Sequence, residues 1–251
     1  MFTVEERELL RGAMIAHAEE SPDIVGAALV GSAARGREDR WSDIDLVLKL
    51  APGVDEAVVV DAWTAWMHDR ADVADTLDVH TRDARYRVFL LASSLQVDVS
   101  FWPHDAFRET EDGFALIFGD ANSPTRPTPP DVDGLIGMGW LYALHARSAV
   151  ARGRVWQATI MLDHLRDQTI ALACLSDGLD PWHGRDADRL PIGLRTALAA
   201  ARAGTVTVDA LSASLAALTR VFAEEVAHHD LARARRLEAP LAVIAERMPD
   251  R

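Results

Sequence analysis

The sequence is poor in sulfur and in lysine. Cys174 is its only cysteine, which excludes an intrachain disulfide and a thiolate metal site. Lys49 is its only lysine, so the 26 Lys and Arg residues are almost all arginine. No run approaches the roughly 20 apolar residues of a membrane-spanning helix, and Met1 to Arg7 lack the basic-then-apolar order of a signal peptide. These absences lead us to expect a cytoplasmic chain with no membrane partner. Basic surface is scarce as well. With 39 acidic residues the net charge is −13, which argues against a nucleic-acid partner, since such binders carry a basic face. The same charge suits a cationic substrate.

What is present is ordinary for a globular protein: 251 residues, 49% hydrophobic and 26% charged, enough for two modest domains with buried cores. The clearest boundary is Asn122 to Asp131, where Pro124, Pro127, Pro129 and Pro130 exclude helix and favour an extended linker. The expected organisation is a first domain over 1–121, a linker over 122–131 and a second domain over 132–251.

In the first domain a helix is expected over 3–20, and strands over Ile24 to Val30 and Ile44 to Leu50. Residues 32–37 read as a helical turn, and 54–70 as a helix carrying Trp63 and Trp66. Thr76 to His80, Arg87 to Ala92 and Leu95 to Phe101 read as three further strands. In the last, Leu95, Val97, Val99 and Phe101 alternate with Gln96, Asp98 and Ser100, which gives one polar face. The fold class is therefore α/β, a small mixed sheet flanked by helices.

The second domain reads as an all-α helical bundle. Leu135, Met138, Tyr142, His145 and Ala149 share one helical face. Met161, Leu165, Leu172 and Leu175 form the stripe of a second helix, and Leu211, Leu215, Leu218, Phe222 and Val226 that of a later one. Shorter helices are expected over 194–203 and 231–247, with a loop from Asp180 to Gly193. On the second helix Trp156, Ile160, Asp163, Asp167 and Ile170 lie opposite the stripe, an aromatic and acidic face fit for an amine-bearing acceptor. The plainer alternative pairs Asp163 with Arg166 at i, i+3. His183, His228 and His229 have no partners at metal-ligand spacing and read as surface residues.

The chemistry lies in Gly31-Ser32-Ala33-Ala34-Arg35-Gly36 and Trp41-Ser42-Asp43-Ile44-Asp45-Leu46. Asp43 and Asp45 at i, i+2 on a strand point to one face, where two carboxylates repel unless cations sit between them. Asp98, on the polar face of another strand, offers a third carboxylate. Gly31 lets the backbone approach a ligand closely, and Ser32 opens a helical turn with free N–H groups. Arg35, one turn on, is within reach of a triphosphate. Alone, Asp-Ile-Asp is also what a solvated strand end looks like; the Gly31-Ser32 pair upstream turns it into a candidate site.

Gly-Ser, a spacer and Asp-x-Asp between apolar residues resemble the signature of the DNA polymerase β-type nucleotidyltransferase superfamily. The resemblance covers about residues 20–105. A sheet domain followed by a helical bundle is similar to the antibiotic nucleotidyltransferases that act on aminoglycosides and lincosamides. The resemblance implies a transferase that moves a nucleoside monophosphate, AMP from ATP, to a hydroxyl of a small-molecule acceptor, with two Mg²⁺ ions as cofactors. It implies Asp43, Asp45 and Asp98 as metal ligands, with Asp98 the general base, a ligand, or both. Gly31, Ser32, Arg35 and Ser42 are the expected nucleotide-binding residues, and Trp156, Asp163 and Asp167 the expected acceptor residues. Relatives that dimerise build their cleft between subunits, so a homodimer is open. Two other functions compete: a protein-adenylylating regulator of the antitoxin type, and an inactive interaction module. The fused bundle argues against the former and the full motif against the latter.

Overall fold

Thr3 opens the first helix. Its hydroxyl accepts from the Glu6 amide at 3.1 Å while the Glu6 carboxylate accepts from the Thr3 amide at 2.6 Å, a reciprocal cap that starts α1, Val4–Glu20. The computed structural model describes residues 1–110, 113–124 and 131–246. It divides into two compact units, Met1–Thr128 and Pro129–Arg251. Among the described residues no helix is long and apolar enough to cross a membrane.

In the first unit α1 is followed by β1 (Ile24–Val30), the one-turn α2 (Gly31–Ala34), β2 (Ile44–Leu50) and α3 (Glu56–Arg70). β3 (Val73–His80), β4 (Arg85–Leu91), β5 (Gln96–Trp102) and β6 (Phe114–Phe118) complete it. The six strands form one sheet in the order β3-β4-β5-β2-β1-β6. β2 and β5 run parallel, and the remaining neighbours are antiparallel, so the sheet is mixed, flanked by helices as expected.

Strand alternation sorts the central side chains. Ile44, Leu46 and Leu48 of β2 and Val97, Val99 and Phe101 of β5 are buried in one core with Met14 and Ala18 of α1 and Val59, Val60, Trp63 and Met67 of α3. On the opposite face Val47 and Trp102 join Ala28, Ala84 and Phe107 in a smaller core. At the rim of the helix-covered face, Asp78 accepts from Arg85 at 2.6 Å and from Arg87 at 2.5 Å. The Arg87 bond, with Arg85 assisting, holds the Asp78 carboxyl well below its ordinary range. Lys49 is buried with its ammonium donating to the Asp120 carbonyl and carboxylate, each at 3.0 Å, which ties the chain after β6 to β2.

The strand ends depart from the sequence reading. β3 begins at Val73 rather than Thr76, and β4 at Arg85 rather than Arg87, because the two pair along their whole length from Val73↔Leu91 to His80↔Arg85. Pairing, not apolar content, sets those ends. β6 is an addition: five apolar residues in a row carry no periodicity that separates strand from helix. The proline-rich segment lies largely on 125–130, outside the described residues.

The second unit is all-helical: α4 (Val132–Ala151), α5 (Val155–Ser176), α6 (Ile192–Ala200), α7 (Val208–His229) and α8 (Leu231–Ala245). The loop expected from Asp180 to Gly193 contains two single 3₁₀ turns, Trp182–Gly184 and Ala187–Arg189, before α6 begins. The α7 stripe Leu211, Leu215, Leu218, Phe222 and Val226 is buried throughout. On α4 the buried line is Ile136, Gly139, Ala143, Ala146 and Val150, while Met138 and His145 face solvent. The reason is close approach: a Cβ on Gly139 would lie 2.3 Å from Phe222, so small residues, not large ones, mark the contact. His229 is half-buried rather than a free surface group, its Nε2 lying 2.8 Å from the Leu172 carbonyl and 3.0 Å from Ser176 Oγ.

Trp63 is 1% exposed and packs against His17, Trp66 and Phe101. Replacing it with Ala should cost about 3–5 kcal/mol, read from the urea midpoint; a loss under about 1 kcal/mol would mean that α3 is not anchored there. His17 stacks on Trp66 with centroids 4.5 Å apart. Burial pushes its imidazole below the ordinary histidine range, opposed by Glu20 and reinforced by Arg70. The folded state therefore favours the neutral ring, and that stability is present above the unfolded pKa and lost as pH falls through the folded one. We expect His17→Phe to flatten the fall in thermal stability between about pH 7 and 5, and an unchanged slope would refute it.

Candidate active site

The parallel pairing of β2 with β5 sets Asp45 directly opposite Asp98. Asp43 lies one residue before β2, on the same side as Asp45 by alternation. One carboxylate oxygen from each of Asp43, Asp45 and Asp98 lies within 4.8 Å of the others, and all three residues are half-buried. At that distance each ionised pair repels by about 3 kcal/mol for an effective dielectric constant of ~20. Burial pushes the Asp98 carboxyl up; the Gln96 amide bonding opposes this and the Asp43 charge adds to it. Gln96 Nε2 reaches both Asp98 oxygens, at 3.0 and 3.1 Å.

β1 delivers the other half of the site. It ends at Val30, and Gly31 turns the chain at φ +64° into α2. A Cβ there would lie 2.4 Å from Asp45 Oδ2, so glycine is required twice over, for its dihedral and for room beside the carboxylate. Ser32, half-buried, follows in the first turn of α2. Arg35 caps that turn and lies against Gly113, where a Cβ would be 2.8 Å from Arg35 Cγ. The Ser42 hydroxyl is engaged within its own loop, accepting from the Asp39 amide at 3.0 Å and lying 3.3 Å from Asp39 Oδ1.

Gly31, Ser32, Asp43, Asp45 and Asp98 thus come from separate segments to one end of three adjoining strands, β5, β2 and β1. Trp156, Asp163 and Asp167 lie on α5 of the second unit. There Trp156 is 70% exposed, and Asp163 accepts from Arg166 at 2.5 Å, the i, i+3 pair that sequence offers as the alternative. Burial pushes the Asp167 carboxyl up, opposed first by His164. A surface depression of about 390 Å³ lined by Leu50, Pro52, Val54, Pro103, His104 and Asp105 is a different place. It sits at the far end of β2, about 16 Å along the strand from Asp45.

Sequence reading passes over two residues of this neighbourhood. Gln96 was legible in hindsight, since it is two before Asp98 on the same strand face. Arg7 was not: a helical arginine normally reads as solvated, yet its side chain is 2% exposed and donates to the carbonyls of Asp39 and Ser42.

The contact between Gly31 and Asp45 can be measured. Gly31→Ala should cost about 1–3 kcal/mol from backbone strain, plus the displacement of the carboxylate. In an Asp45→Ala background the second part vanishes, so a double-mutant cycle should give a coupling of about 0.5–3 kcal/mol. Strict additivity would show that the two residues do not touch.

Residues 16–112 match the family model described as nucleotidyltransferase domain. Among solved structures the chain is similar to an aminoglycoside 6-adenyltransferase from Bacillus subtilis, at 12% identity over 95% of this chain and 98% of that one, with a TM-score of 0.36. Likeness at that level carries no weight on function. No curated protein matches the chain. Every residue of the carboxylate and Gly-Ser constellation lies inside that matched segment.

Proposed function

We propose that the chain transfers AMP from ATP to a hydroxyl of a small-molecule acceptor by a two-magnesium mechanism. The observation that carries this is the convergence of Asp43, Asp45 and Asp98 to within 4.8 Å beside Gly31. The donor set fits the metal: three carboxylates and no nitrogen or sulfur suit a hard divalent cation. A cation would relieve the repulsion among three carboxylates held this close. When bound, magnesium neutralises charge on the transferring phosphoryl group and orients it.

The residues divide the work. Asp43 and Asp45 hold metal, and the backbone at Gly31 and Ser32 with the Ser32 hydroxyl binds the phosphates, Arg35 and Ser42 assisting. The acceptor oxygen attacks the α-phosphorus, its O–H proton passes to Asp98, the bond to the β-phosphate oxygen breaks, and pyrophosphate leaves. Burial of Asp98 makes it a better proton acceptor than an exposed carboxylate. The acidic chain, at net charge −13, suits a cationic acceptor of the aminoglycoside or lincosamide kind. Under this reading the domain over 1–121 supplies the chemistry, the proline-rich linker over 122–131 follows, and the bundle over 132–251, with Trp156, Asp163 and Asp167, contributes acceptor contacts in a cytoplasmic enzyme.

The test is labelled ATP with magnesium and a panel of aminoglycosides, lincosamides and simpler alcohols. Asp43→Asn and Asp45→Asn should abolish transfer with thermal stability unchanged or slightly raised, because repulsion is relieved. Asp98→Asn should slow single-turnover transfer about 10²–10⁴-fold, with little recovery across a magnesium titration. Full recovery at high magnesium would reduce Asp98 to a ligand. Activity retained in both Asp43→Asn and Asp45→Asn would sink the metal assignment.

A further inference from the structure

We infer that Arg7 is a positioning residue for the carboxylate site, holding in place the loop that delivers Asp43; this rests on the metal-binding reading above. Between α2 and β2 the chain runs from Arg35 to Asp43, and none of these residues is buried. Trp41, its one large apolar side chain, is 60% exposed and stacks under Arg40 instead of packing inward. Hydrophobic burial therefore does not fix this loop.

A buried guanidinium from α1 does. Arg7 Nη1 donates to the Asp39 carbonyl at 2.6 Å and to the Ser42 carbonyl at 3.1 Å, and Nη2 lies 3.5 Å from Glu38. Arg11 donates to the same Glu38 carboxylate at 2.7 Å. Within the loop the Trp41 amide donates to Asp39 Oδ1 at 2.7 Å, and the Ser42 amide to the Asp39 carbonyl at 3.3 Å. The two carbonyls that Arg7 grips belong to the first and last residues of the 39–42 turn.

The second of those carbonyls matters most. The Ser42 C=O and the Asp43 N–H belong to one planar peptide unit, so fixing the carbonyl fixes the plane from which Asp43 starts. Asp45, by contrast, is placed by the sheet register. Arg7 thus matches the loop-borne carboxylate to the strand-borne ones. The cost of burying it is plain: its Nε has no hydrogen-bond partner among the described residues. Lysine does not reproduce this: one ammonium replaces Nη1 alone and leaves the place of Nη2, beside Glu8 and Glu38, without a donor.

The test uses the full chain and Mn²⁺ as the probe, followed by electron paramagnetic resonance, with amide hydrogen exchange over 37–43 as a second readout. Groups that orient metal ligands typically change metal affinity by about 10–100-fold when replaced. Arg7→Lys should weaken Mn²⁺ binding by about tenfold or more and speed exchange in the loop. Glu38→Gln, on the solvent side of the network, should move both readouts the same way by less, and it carries the test if Arg7→Lys does not fold. Asp78→Asn, which disturbs an ion-pair cluster on the opposite, helix-covered face of the sheet, should lower stability and leave both readouts unchanged. Wild-type Mn²⁺ affinity and wild-type exchange in folded Arg7→Lys would overturn the inference. If the wild type binds no Mn²⁺, the metal reading falls, and unchanged loop exchange in Arg7→Lys would still refute the positioning role separately.

Discussion

The candidate site depends on the parallel register between β2 and β5. That register alone puts Asp45 beside Asp98, two groups that repel. What holds it lies on the other side of the strands, where Ile44, Leu46 and Leu48 and Val97, Val99 and Phe101 interlock beneath two helices. A slip of one residue would turn the carboxylates into that apolar layer and the apolar residues into water. Core packing thus stabilises an electrostatically unfavourable cluster of carboxylates.

Much of this was legible in the sequence because strand geometry is periodic. The i, i+2 spacing of Asp43 and Asp45, and the alternation around Asp98, convert directly into a shared face. Gly31 was legible for its dihedral, and the structure adds the closeness of the Asp45 oxygen. Less legible was whatever depends on a distant partner. The start of β3 at Val73 follows from its pairing with Leu91, and the burial of Arg7 from carbonyls more than 30 residues away. Neither leaves a local signature.

The second unit shows the same limit in another form. Hydrophobic stripes locate helices well, as on α7, where every stripe residue is buried. They locate the contact line poorly when the contact is made by what is missing. On α4 the closest approach is at Gly139, Ala143 and Ala146, so the bulky residues one position over are left half-covered or in solvent. Asp163 and Arg166, adjacent on one helix, likewise satisfy each other. The face they share with Trp156 keeps its aromatic group in solvent, open to a ligand yet not shaped by any neighbour within the helix.

Lys49 has a practical consequence beyond the fold. It is the chain's sole ε-amine, and it is 1% exposed with its protons engaged by Asp120. Amine-directed dyes, crosslinkers and coupling resins therefore find no lysine on the native surface. Acylation of that nitrogen becomes a reporter of opening: it requires the segment after β6 to lift away from β2, so the rate at which Lys49 takes up such a reagent clocks the release of Asp120.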